Sequence, residues 1–220
     1  MSLWRVEKNH LKIDGQEIWL SRADGSSPQR LKTQPGDWDA LRDELASMLA
    51  PTAGLKVVVA DCWIRYFLME LPDGIMNLKD AFRLLNARFE SLYGQVATDW
   101  LLQADWHRNE PMLACALPRS LLQAVDTYSL SSLEPHLVTT WRKQCASLPA
   151  TGAWCFMQDG MSILLYWQQG ILRLVRQLHC ADVDALLALE LLRLGEQLPT
   201  EKFWTGDARP AQWRLLEAIA

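Results

Sequence analysis

Five acidic residues, Asp61, Glu70, Asp99, Asp105 and Asp159, stand at or near the ends of segments that read as strands. Carboxylates placed this way suit two-metal phosphoryl chemistry, because each metal ion needs several oxygen ligands held together. Glu90, on a segment with helical spacing, is a further candidate. The rest of the chain does not supply what such a site would act on. Lys and Arg number 22 against 26 Asp and Glu, the net charge is −4, and no basic run forms a nucleic-acid groove. No nucleic-acid partner is expected. Nucleophilic catalysis is no better provided for. There is no Gly-x-Ser-x-Gly elbow, and His10, His107, His136 and His179 lie in turn-like or strand-end contexts. His179 and Cys180 are neighbours, yet adjacent strand residues point to opposite faces. The five cysteines, Cys62, Cys115, Cys145, Cys155 and Cys180, form no CxxC pair, so buried reduced thiols are expected and zinc ligands are not. No catalytic residue and no metal ligand is assigned.

The elements that would position these residues follow from turn signals and apolar spacing. Residues 1–22 read as a β-hairpin, with Asp14-Gly15 at the turn. Residues 23–37 are rich in Ser, Gly, Pro and charge and read as a loop. Asp37 then caps a helix whose apolar face is Leu41, Leu45, Met48 and Leu49. The unbroken run Val57 to Ala60 predicts a strand buried on both faces. Further strands are expected at Ile64 to Leu71, Asp99 to Asp105 and Met112 to Leu117. Helices are expected at Leu78 to Tyr93, Ser120 to Thr127 and Leu137 to Cys145. A second run begins after Pro149 to Gly152. It comprises strands Ala153 to Gln158, Met161 to Gln168 and Ile171 to Leu178, a helix Val183 to Glu196 capped by Asp182, and a closing strand Lys202 to Thr205. The apolar residues of that last helix cover more than one stripe, which predicts burial between two layers and leaves a homodimer face as the alternative. The element order of the two runs is similar, so the chain is divided into a first half, 1–150, and a smaller second half, 151–220.

YGQVATDWLL followed by PMLACALPRSLLQAV places a strand before Pro118-Arg119 and a helix, with Cys115 to Leu122 as the joint. This segment resembles the PilM family of pilus-assembly proteins and the GspL-like cytoplasmic domains of type II secretion. The meander AWCFMQDGMSILLYWQQGILRLVRQL is also similar to theirs, and the resemblance covers roughly residues 55 to 205. It implies an actin-like, ribonuclease H-like α/β fold of mixed sheets flanked by helices. Nucleotide-binding members carry Asp-x-Gly-[Ser/Thr] at their first hairpin, since glycine lets backbone amides approach phosphates. The matching positions here read Asp61-Cys62-Trp63-Ile64, with tryptophan where glycine is needed. The second hairpin reads Asp159-Gly160-Met161-Ser162. If ATP with Mg²⁺ were bound, Asp61, Asp159, Gly160 and Ser162 would be its ligands, but the resemblance with these departures implies a chain without cofactor. The expected role is non-enzymatic: an adaptor for a membrane-anchored assembly protein in a pilus or type II secretion-like machine. An active actin-like ATPase and a stand-alone structural dimer are the alternatives.

Half the residues are hydrophobic and 11 are tryptophan, which predicts a substantial core with some indoles left for a partner. Trp154 reads as core, whereas Trp19, Trp106 and Trp204 stand in polar company near turns. The first ten residues have no apolar core and no stretch approaches the length of a membrane helix, so a cytoplasmic chain, peripheral to the inner membrane through its partner, is expected.

Overall fold

Alternation of apolar and polar residues builds the first sheet. In β1 (Asn9–Ile13), Leu11 and Ile13 are buried while Lys12 is exposed, and in β2 (Ile18–Ser21) Ile18 and Leu20 point inward. These strands form the expected hairpin, closed by Asp14 N donating to the Glu17 carbonyl at 2.8 Å. The computed structural model describes residues 8–75, 77–94, 96–106, 110–158, 160–179, 182–207 and 209–216. Asp159, His107 and Cys180 lie outside the described residues. The chain continues through β3 (Gln29–Arg30), α1 (Trp38–Met48), β4 (Gly54–Val59), a 3-10 turn (Asp61–Trp63) and β5 (Arg65–Met69). Next come α2 (Leu78–Tyr93), β6 (Trp100–Ala104), β7 (Met112–Pro118), α3 (Arg119–Val125), β8 (Ser129–Pro135) and α4 (His136–Gln144). The last run holds β9 (Gly152–Gln158), β10 (Met161–Gln168), β11 (Ile171–Leu178), α5 (Val183–Leu194), β12 (Lys202–Thr205) and β13 (Arg214–Leu215).

Helix ends are set by the residue types expected of them. Asp37, Asn77 and Asp182 accept hydrogen bonds from the amides of Ala40, Asp80 and Ala185, capping α1, α2 and α5.

By contact the chain forms two compact units: residues 1–64, 98–101 and 117–139, and residues 65–97, 102–116 and 140–220. They are interleaved along the sequence, whereas the reading from sequence cuts the chain once, after residue 150. The first unit holds a sheet of order β3-β2-β1-β4-β8, and the second a sheet of order β11-β10-β9-β12-β13. A three-stranded sheet, β5-β7-β6, is also present.

The two five-stranded sheets repeat one topology. In each, the central strand pairs antiparallel with the second strand of its hairpin, and that strand pairs antiparallel with a third. On its other side the central strand pairs parallel with a later strand, which pairs parallel with the edge. This equivalence corrects the placement of the first hairpin. The counterpart of the β9–β10 turn is the β1–β2 turn at Asp14-Gly15, and Asp61 follows β4 instead. The same Asp-Gly pair stands in both hairpins, at 14–15 and 159–160.

The strand β4 is interior because it pairs with β1 on one edge and β8 on the other. Its burial alternates, with Leu55, Val57 and Val59 inside and Val58 half-buried, so the expectation of two fully buried faces does not hold. β9 and β10 do meet that description, being buried almost without a break from Gly152 to Phe156 and from Met161 to Trp167. One face of their sheet packs Ala153, Cys155, Leu164 and Tyr166 against Val183, Leu187 and Leu191 of α5. On the other face, Trp141 stacks on Trp154 at 5.9 Å and meets Trp167 edge-on at 5.5 Å. Of the 11 tryptophans all but Trp4 are described, and none of these is exposed. Trp204, expected near a partner, is a core residue; Trp19 and Trp106 are half-buried.

Asp184 closes the second unit. Its carboxylate accepts from Lys202 Nζ at 2.7 Å, Trp213 Nε1 at 3.1 Å and Gln212 Nε2. Burial alone would raise its pKa, but these donors outweigh that and hold it below the ordinary aspartate value. The helix α5 departs from expectation: only Val183, Leu187, Glu190 and Leu191 are buried, and its opposite face is open. Among the described cysteines, Cys155 is buried, Cys62 and Cys115 are half-buried and Cys145 is exposed.

Candidate functional site

In the first unit the chemistry converges on the ends of β1 and β4. Asp61 is 1% exposed, and both its carboxylate oxygens lie 3.1 Å from the amide of Leu137. That amide belongs to the first turn of α4, where backbone N–H groups have no helical partner. A buried anion satisfies it and meets the positive end of the helix dipole. Asp61 is therefore a helix cap supplied from 76 residues upstream in the chain.

Two residues after Asp61, the indole of Trp63 reaches across to the first hairpin, where Nε1 donates to the Asp14 carbonyl at 3.2 Å. Its ring meets Trp38 edge-on, with centroids 5.3 Å apart. A methyl at position 36 would come within 3.1 Å of the ring, so Gly36 leaves the room that Trp63 occupies. The Asp14 carboxylate pairs with Lys12 at 3.1 Å. Next along, Glu17 is held by Arg30 at 3.0 Å and by Trp19 Nε1 at 3.1 Å. The adjoining loop is fixed to α1 by Glu44, which accepts from the amides of Lys32 and Thr33 at 2.9 Å each and from the Thr33 hydroxyl at 2.7 Å. Burial pushes Glu44 toward a higher pKa, but these donors prevail and lower it. A cleft of about 360 Å³ beside the turn is walled by Gln16, Glu17, Arg30, Lys32 and Thr33. A glycine-lined cradle of open amides, as phosphate requires, is not what these groups make. The turn carries a carboxylate at Glu17 and an indole on its carbonyl.

In the second unit, Gly160 is exposed with φ of +74°, and nothing lies within 4 Å of where a Cβ would stand. Its carbonyl is 3.1 Å from His179 Nδ1. Ser162 is 2% exposed within β10, so its side chain is turned into the sheet. The remaining acidic candidates do not gather: among the described residues no three His, Cys, Asp or Glu side chains are grouped to hold a metal ion. Glu90 instead accepts from the amide of Ala97 at 3.0 Å.

The Pro118-Arg119 joint has a structural purpose. Arg119 donates to the Thr98 carbonyl at 2.7 Å and to the Trp100 carbonyl at 3.1 Å, anchoring the start of α3 to the segment before it.

No protein-family model matches the chain, and no curated protein does. Solved structures do. One is a Bacteroides thetaiotaomicron protein of unknown function with an actin-like ATPase fold (TM-score 0.55, 10% identity, covering 94% of this chain and 86% of that one). The fold is the actin-like one. A second match is the cytoplasmic domain of EpsL, an inner-membrane component of the Vibrio cholerae type II secretion system (TM-score 0.56, 14% identity, covering 96% and 90%). A third is the PilM–PilN type IV pilus biogenesis complex (TM-score 0.58, 12% identity, covering 92% and 82%). The actin-like α/β architecture expected from the sequence, with its likeness to PilM and the GspL-like domains, is thus present. Among the described residues no helix is long and apolar enough to cross a membrane.

The sequence reading missed Asp14, Gly15 and Trp38 as part of this site. A signal was there: an Asp-Gly pair in each of two similar runs of strands marks equivalent hairpins.

Proposed function

We propose that this actin-like chain is a non-enzymatic scaffold that holds a protein partner in an assembly of the type IV pilus or type II secretion kind. Its place would be the cytoplasmic face of the inner membrane. The observation that carries the reading is Trp63, whose indole is bonded to the first hairpin turn where a nucleotide-binding relative would present amides to phosphate. Asp61 supports it, since its carboxylate is spent on the Leu137 amide. ATP and Mg²⁺ do not fit this turn, so no hydrolytic step is assigned. The partner class comes from the likeness to PilM, seen in complex with PilN, and to EpsL. The expected ligand is a short cytoplasmic segment of a membrane-anchored assembly protein. The immobilised full chain, offered N-terminal peptides of the inner-membrane proteins encoded beside it, should retain one of them with a Kd on the order of micromolar. Failure with every such peptide would overturn the assignment.

A further inference from the structure

The outward face of α5 is built the wrong way for water. With 3.6 residues per turn, Val183, Leu187 and Leu191 lie on the buried stripe, and Ala185, Ala188, Leu189 and Leu192 form the opposite one. A surface helix normally places charge there. Here Leu192 is 77% exposed and Leu189 45%, and no charged residue interrupts the stripe. Leu194 projects from the other side of the helix, and Leu198, at 55% exposure, lies beyond its C-terminal end. Glu196 is drawn aside by Gln168, whose side-chain amide donates to it at 2.8 Å.

We propose that this stripe is the interface of a homodimer in which two α5 helices pack antiparallel about a two-fold axis. The stripe is complementary to itself, and this selects a second copy over an unrelated partner. An axis at the level of residues 188 and 189 places Leu192 of each copy over Ala185 of the other, large against small. Leu189 then meets Leu189 of the second copy, and Ala188 meets Ala188, so the helices approach closely. On one flank, exposed Asp182 of each copy falls beside exposed Arg193 of the other, a favourable charge match at both ends. The parallel arrangement would bring Asp182 against Asp182 and Arg193 against Arg193. This inference is independent of the proposed scaffold function.

One helix pair covers less surface than the roughly 1,600 Å² of a standard interface, so association should be weak, with a Kd on the order of tens of micromolar. Sedimentation equilibrium of the full chain from about 1 to 300 μM should show the mass rising from 25.1 kDa toward twice that value. Leu192→Glu should weaken association by at least about tenfold, so that its mass at about 300 μM stays well below that of the wild type, with an unchanged far-UV spectrum because the residue lies on the surface. Ala185→Leu and Leu192→Ala should each weaken the dimer, and the double variant should recover it by exchanging the large and small partners. A wild-type chain that stays monomeric, including one whose stripe is covered by a different protein, would overturn the proposal. So would a dimer indifferent to Leu192→Glu, or a double variant no better than the worse single one.

Discussion

Replacing Asp61 with alanine is expected to destabilise the chain by about 2–4 kcal/mol, one of the two largest effects the structure implies. The carboxylate is buried and serves the Leu137 amide with both oxygens, so its removal strands a donor at the start of α4 with no water to replace it. For a chain of this length that corresponds to a fall in Tm of roughly 5–12 °C. Asp61→Asn keeps one acceptor oxygen and should lose about half as much. Thermal denaturation of the three proteins checks this. The outcome also separates two roles for the residue. A carboxylate kept for a metal or a phosphate site typically costs stability, so its removal would leave Tm unchanged or higher.

The second large effect is at Gly206. Its φ is +110°, and a Cβ there would stand 2.3 Å from the Met157 carbonyl oxygen and 3.0 Å from the Met157 Cβ. The chain leaves β12 at this point still pressed against β9, with Thr205 opposite Phe156 in the parallel register. The obstacle is backbone, so no side-chain rotation relieves it. Gly206→Ala should cost about 3 kcal/mol or more, through strain in φ together with separation of β12 from β9. Gly160→Ala supplies the comparison. That glycine also has positive φ, but its Cβ would meet nothing within 4 Å, so only the conformational cost of about 1 kcal/mol remains. Urea unfolding of both variants should therefore show a gap of about 2 kcal/mol between them. Equal losses would mean that the close approach at Gly206 does not constrain the fold.

Much of this architecture is written in local signals. Asp14-Gly15 marks the first hairpin, Asp37 and Asp182 mark helix starts, and the apolar runs of β9 and β10 mark a doubly covered sheet. The strand β8 was not legible for a physical reason. Ser129–Pro135 is polar because it forms the sheet's edge, with Ser129 and Ser131 exposed, and only its pairing with β4 makes it a strand. The width of the apolar surface on α5 was visible, but a sequence does not distinguish a second buried layer from a face left open.

The candidate site was readable in its parts and misplaced as a whole. Trp63 stands out in the sequence as a tryptophan where a phosphate loop would want glycine. Its location is different. The residue does not replace a glycine within the turn; it lies over a turn that still has its Asp-Gly pair, 49 residues earlier in the chain. Long-range hydrogen bonds of this sort, like that of Asp61 with Leu137, have no signature in spacing. They arise when parallel strands bring the ends of β1, β4 and β8 side by side.

The proposed scaffold role rests on the chain's own side chains occupying the position where an actin-like relative would hold nucleotide. The most direct measurement is the Tm of the full chain with and without about 5 mM ATP and excess Mg²⁺, a concentration that would reveal any Kd below the millimolar range. Superimposable transitions are expected. Binding a hundredfold tighter than the ligand concentration would add about 2.7 kcal/mol, and an upward shift of several degrees specific to Mg-ATP would contradict that role.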